Sequence, residues 1–172
     1  MFRRALAVAG LVAVAAVPTV VEAQDPSDMV RTLYRTGPRF GVTWLGGSLT
    51  DTIKSRYNQD VAQVITQFGW QYERQFASLE GGPVALNEWV LLVGGLDQGT
   101  AIPSLTWLVG IRTPGEMEFG VGPNITPAGF ALAMSFGQTF KAGALRIPVN
   151  VAFVPSRFGM RASLLTGFNV YR

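Results

Sequence analysis

Between Phe40 and Val170 the chain alternates its side-chain character with a period of two, segment after segment. One parity carries Phe40, Val42 and Trp44, then Phe68, Trp70 and Tyr72, then Leu105, Trp107, Val109 and Ile111, then Met117, Phe119 and Val121. It continues through Phe130, Leu132, Met134, Phe136 and Phe140, through Leu145, Ile147, Val149, Val151 and Phe153, and through Leu164, Phe168 and Val170. The other parity is small or polar, with Gly41, Thr43, Gln67, Gln71, Ser104, Thr106, Gly120, Ser135, Asn150, Ser163 and Asn169. Successive side chains of a strand point to opposite faces, so this period marks β-structure. Turn residues punctuate it at "DQGT" (97–100), "TPG" (113–115), "TPAG" (126–129), "KAG" (141–143) and "PSRFG" (155–159). Links this short join antiparallel neighbours, because parallel strands need a crossover of a dozen or more residues. The pattern predicts one all-β domain of eight antiparallel strands, at 38–48, 63–77, 83–96, 101–113, 115–125, 129–141, 144–155 and 159–171. The third, "VALNEWVLLVGGL", is apolar on both parities, which leaves its register open.

Bulk and charge decide which row faces out. An eight-stranded barrel has room inside only for side chains or one small ligand, and this apolar row overfills that space. A water-facing row should be rich in Lys and Glu, yet charged residues are only 15% of the chain. The reverse arrangement suits both rows, with apolar side chains against lipid and small residues with a few charges inside. An open sheet edge is not tolerated in lipid, so the strand at 159–171 must pair with the first, near Phe40–Gly47. Trp44, Tyr72, Phe76, Trp89, Phe140, Phe153 and Tyr171 are expected near strand ends as interfacial girdles. The predicted fold is an eight-stranded antiparallel up-and-down transmembrane β-barrel.

Residues 1–23 read as a cleaved export signal. Arg3 and Arg4 precede a 13-residue apolar run from Ala5 to Val17, and Val21 and Ala23 fit a cleavage site before Gln24. The run is shorter than the ~20 residues of a membrane-spanning helix. Residues 24–37 follow as a polar leader, and the barrel occupies 38–172.

A signal peptide, an eight-strand meander and an amphipathic last strand together resemble the small outer-membrane barrels of the OmpA/OmpX type. The resemblance covers residues 38–172 and rests on pattern, not on a diagnostic motif. It implies a Gram-negative outer membrane, a periplasmic leader, and outer-membrane lipid and the barrel-assembly machinery as partners. Proteins of that type usually end on an aromatic residue, whereas here Tyr171 is followed by Arg172.

The chain has no Cys and no His. Their absence removes thiolate nucleophiles, thiolate metal sites and the commonest general base. No enzymatic chemistry, cofactor or metal site is expected. A Ser–Lys pair is formally open, but both lysines, Lys54 and Lys141, fall in predicted connectors, where water keeps them protonated. The net charge of +3 is dispersed, which argues against a nucleic-acid-binding face.

Two groups of residues are functional candidates. Arg39, Arg112, Arg146 and Arg161 share the inward parity with Glu73 and Glu118, and Glu88 joins them if strand three takes that register. Such a set either lines a porin-like ion path or forms structural ion pairs that plug the lumen, since buried charges must find partners. The plug is the preferred reading because small barrels have filled interiors. The polar connector 48–60 presents Asp51, Lys54, Arg56, Tyr57 and Asp60 for an extracellular contact, or is simply a solvated loop or short helix with no dedicated ligand. The alternative for the whole chain is a secreted or periplasmic lipocalin-like barrel holding an apolar ligand. No specific ligand follows from either reading.

Overall fold

Eight alternating segments become eight long strands. The computed structural model describes residues 34–58, 60–78, 81–143 and 145–171. The expected signal peptide and the leader as far as residue 33 lie outside them. The order is β1 (Tyr34–Leu45), α1 (Gly47–Tyr57), β2 (Val64–Ser78), β3 (Val84–Gly94), β4 (Ile102–Arg112), β5 (Met117–Thr126), β6 (Gly129–Ala142), β7 (Leu145–Ser156), β8 (Gly159–Gly167) and β9 (Val170–Tyr171). Each strand pairs antiparallel with the next, and β1 closes the sheet by pairing with both β2 and β8. The closing register runs from Arg39↔Gly167 to Leu45↔Arg161. The short β9 continues β8 along β1 with Arg35↔Tyr171 and Thr36↔Val170. The expected pairing of 159–171 with the first strand is therefore present.

The first strand differs from its expected span. It begins at Tyr34 instead of residue 38, so residues 34–37 belong to the barrel and not to the leader. Their polar composition hides an alternation that continues, with Tyr34 exposed outside and Arg35 buried inside. The strand stops at Leu45, and the connector at 48–60 coils into α1. Leu49 and Ile53, one helical turn apart, pack with Leu45 and Ile65 into an apolar cluster at the barrel mouth.

The register of β3, open in the sequence, places its one acidic residue inside. Leu86, Glu88, Val90 and Leu92 are buried, and Trp89 and Leu91 are exposed. Only this choice keeps the Glu88 carboxylate off the apolar exterior. It also places Val90 and Leu92 against Leu165 inside, while Leu108, Ala133 and Val154 form a second apolar cluster. The lumen is therefore not uniformly polar, as the small-residue row suggested. Apolar layers interrupt it.

On the exterior the apolar parity is exposed on every long strand, including Phe40, Phe68, Trp107, Phe119, Leu132, Phe153 and Leu164. Among the described strand residues, the exposed charged side chains are Arg74 and Lys141. Of the expected girdle, Trp44, Phe76, Phe140 and Phe153 are exposed near strand ends. Tyr72 and Trp89 instead stand mid-strand, where Trp89 lies 6.0 Å from the ring of Trp107. The side chain of Tyr171 lies outside the description. No described helix is long and apolar enough to cross a membrane.

Tight curvature requires glycine where neighbouring strands crowd. A Cβ at Gly69 would collide with the backbone carbonyl of Leu91, and one at Gly41 with that of Leu164. Neither obstacle can rotate away, because each carbonyl belongs to a paired strand. Gly69→Val is expected to destabilise the barrel by about 1–3 kcal/mol, as overpacking does. Urea titration of the heat-modifiable gel band measures it, and an unchanged midpoint would remove the close-approach argument.

Candidate functional site

The barrel has two unlike ends. α1 and the turns at 95–101, 127–128 and 157–158 lie at one, the helix end. The turn at 113–116, Gly143 just past the end of β6 and the start of β1 lie at the other. The inward alternation of β1, β2, β4 and β5 brings charged side chains together near this opposite end.

Arg112 is the hub. Its Nη1 and Nη2 donate to the two carboxylate oxygens of Glu73 at 2.5 Å each, and its Nε donates to Glu118 Oε1 at 2.8 Å. Both carboxylates are further fixed: Gln75 donates to Glu73 at 3.1 Å, and Thr139 to Glu118 at 3.0 Å. All three charged side chains are almost fully buried. A two-pronged guanidinium–carboxylate contact fixes orientation as well as charge. Arg35 joins through Glu116, Nη1 to Oε2 at 2.8 Å. Glu116 also lies 3.5 Å from Lys141 and 3.8 Å from Arg146.

Deeper toward the barrel centre, Arg39 is held by neutral partners. It donates to Gln71 Oε1 at 2.8 Å, Asn169 Oδ1 at 2.5 Å and the Pro38 carbonyl at 2.9 Å. Arg161 stands apart near the helix end, donating to Asn124 Oδ1 at 2.7 Å. No acidic partner of Arg161 lies within 4.0 Å among the described residues. The inward parity thus placed all six candidates in the lumen, but the structure joins only Glu73, Arg112, Glu118 and Arg146 into the network. An acidic partner for Arg161 does not exist there, because β8 delivers it opposite Asn124, far from the acids.

Two members of the network escaped sequence reasoning. Arg35 was counted with the leader. Glu116 falls inside the expected strand 115–125 without standing out as a candidate, and the structure places it in the β4–β5 turn with a left-handed backbone (φ 63°). Its parity with Glu118 was the available signal. Glu88 faces the lumen as Glu73's cross-strand partner, and its Oε1 has no hydrogen bond. Oxygens of Glu73, Glu88 and Glu118 lie within 4.8 Å of one another. That spacing suits a cation, but Arg112 already occupies oxygens of two of the three and acts as the cation there.

On α1, Asp51, Lys54, Arg56 and Tyr57 are exposed, as is Asp60 beyond it. They do not converge on one pocket. Lys54 pairs with Asp60 at 2.7 Å, Arg56 covers the ring of Phe158 at 4.7 Å, and Tyr57 donates to the Pro127 carbonyl at 2.7 Å. The hydrogen bond to Asp60 raises Lys54 above its ordinary pKa, opposite to what a general base requires. Lys141 lies in β6 and not in a connector. These contacts tie the helix to the rim.

No protein-family model and no curated protein matches the chain. Among solved structures, the chain is similar to the Yersinia pestis outer membrane protein Ail in a phospholipid bilayer nanodisc. The TM-score is 0.50 at 10% sequence identity, over 80% of this chain and 99% of that one. The chain has the fold of a small outer-membrane β-barrel. At that identity the likeness is one of fold, and the lumen contacts above belong to this sequence.

Proposed function

We propose that the protein is a structural barrel of the Gram-negative outer membrane, with a lumen closed by the Arg112 network and no catalytic chemistry of its own. The observation that carries this reading is the segregation of charge: acidic and basic side chains cluster inside, while among the described strand residues the exposed ones carry no charge except at Arg74 and Lys141. A soluble surface would be about 25–35% charged. Strand length supports the same reading. An 11-residue strand such as β3, tilted by about 40°, rises roughly 28 Å against an apolar band of about 25 Å. Polar atoms on the outer face hold partners, as hydrocarbon demands: Trp70 Nε1 donates to Thr36 Oγ1 at 2.6 Å, and Thr166 Oγ1 to the Pro148 carbonyl at 3.0 Å. The signal-like residues 1–23 support export, and the assembly machinery of that membrane would insert the barrel. With the leader in the periplasm, α1 faces the cell exterior.

The lipocalin-like alternative requires water on the face that carries Phe68, Phe119 and Phe130, and charge segregation disfavours it. The two-pronged Arg112–Glu73 contact supports the plug over the porin-like path. Cell fractionation and planar bilayers test both parts. The expected protein leaves the membrane only with detergent, migrates heat-modifiably and gives no stable single-channel current. Recovery from the soluble periplasm would overturn the membrane reading. Stable currents altered by Glu118→Ala would overturn the plug.

A further inference from the structure

The helix end of the lumen holds a cavity of about 320 Å³ that neither the ion network nor the bilayer reading uses. Its walls are apolar, with Leu45, Leu49, Ile53, Ile65, Ile102 and Ala128. α1 lies over it, held by the Tyr57 hydrogen bond to the β5–β6 turn. A smaller central cavity of about 60 Å³ lies deeper in the barrel. Thr43, Gln67, Ser104 and Arg161 line both spaces, so they form the floor of the upper one.

Two polar groups facing this chamber are unsatisfied. Arg161 spends one donor on Asn124, while its buried Nε has no hydrogen-bond partner. Thr126 is about nine-tenths buried, and its Oγ1 also has no partner. Buried polar groups in native proteins are nearly always paired, and leaving one unpaired costs about 1–3 kcal/mol. A guanidinium without a carboxylate, a hydroxyl beside it and an aliphatic roof make a site with one charged end and one greasy end. The volume is at the lower end of small-molecule sites, about 300–1,000 Å³. It excludes lipids with two or more chains.

We propose that this chamber binds a single-chain amphiphilic carboxylate of medium length. The carboxylate accepts hydrogen bonds from Arg161 and Thr126, and the alkyl chain lies against Leu49, Ile53 and Ile65 beneath α1. The head group satisfies both orphaned donors at once. The guanidinium fork matches a planar carboxylate, and the chain removes the apolar wall from water. The site faces away from the Arg112 network, so it does not depend on whether the lumen conducts.

The test uses the full barrel in phospholipid nanodiscs, free of detergent, with carboxyl-labelled octanoate observed by carbon NMR. Empty nanodiscs give the non-saturable partition into lipid. Saturable binding is expected with a Kd of about 1 mM or tighter, in keeping with a ligand of about ten non-hydrogen atoms. Octanol, which keeps the chain and loses the charge, should bind at least about tenfold more weakly. Arg161→Gln should weaken octanoate by a similar factor, and Arg161→Lys should restore part of it. Ile53→Trp fills the chamber from the helix side and should abolish binding with the barrel still heat-modifiable. Uptake no greater than in empty nanodiscs would overturn the proposal, as would equal affinity for octanol and octanoate. Should Arg161→Gln fail to fold, the octanol comparison and Ile53→Trp decide the matter.

Discussion

Arg112→Met is expected to destabilise the folded barrel by about 3–5 kcal/mol, the usual consequence of removing one partner from a buried ion pair. The loss exceeds that of the contact itself, because Glu73 and Glu118 stay behind as uncompensated charges. Both are nearly inaccessible and already held by Gln75 and Thr139, so neither can swing out to water. Adding Glu73→Gln to Arg112→Met should therefore recover at least about 1 kcal/mol, since the sites share a contact and are not additive. Glu88→Gln should act with the opposite sign. It replaces the buried acidic group directly across from Glu73 by a neutral amide, which can relieve at most about 1 kcal/mol. Urea titrations of folding into lipid vesicles measure all four proteins. A cost below about 1 kcal/mol for Arg112→Met would mean that water reaches the network, and the closed lumen would fall with it.

Val121→Arg should cost about 2–4 kcal/mol, the penalty for a cation on the lipid face near the bilayer midplane. Val121 is exposed at the middle of β5, cross-strand from Val109 and Met134. Nothing in the protein lies over it, so a soluble barrel would accept the arginine with little change or gain solubility. Arg74→Leu provides the contrast, because Arg74 is exposed near the end of β2, opposite Tyr34 at the start of β1. It should change stability by less than about 0.5 kcal/mol. The same vesicle-folding titration reads both. Equal, small effects at the two positions would mean that water, and not hydrocarbon, surrounds β5.

The exterior of this barrel was legible residue by residue. Val42, Trp70, Ile111 and Phe136 were placed outward by parity, and each is exposed. Their position follows from strand geometry alone, which is local and periodic. The interior was legible only in part. Arg39, Glu73, Arg112 and Glu118 were assigned to the lumen by the same parity, but not who meets whom. Arg35 and Glu116 are 81 residues apart, and Arg112 and Glu73 are 39 apart.

The sequence by itself determined that the chain forms antiparallel strands, that they close into a barrel and which row faces out. Those outcomes follow from a period of two, short turns and the cost of an open edge in hydrocarbon. Tertiary structure alone decided the register of β3, the placing of α1 over the mouth and the pairing of each lumen charge. It gave Arg161 an amide in place of an acid and left a chamber beside it. Barrel closure and strand stagger fix which inward side chains share a level, and no local pattern in the sequence carries that information.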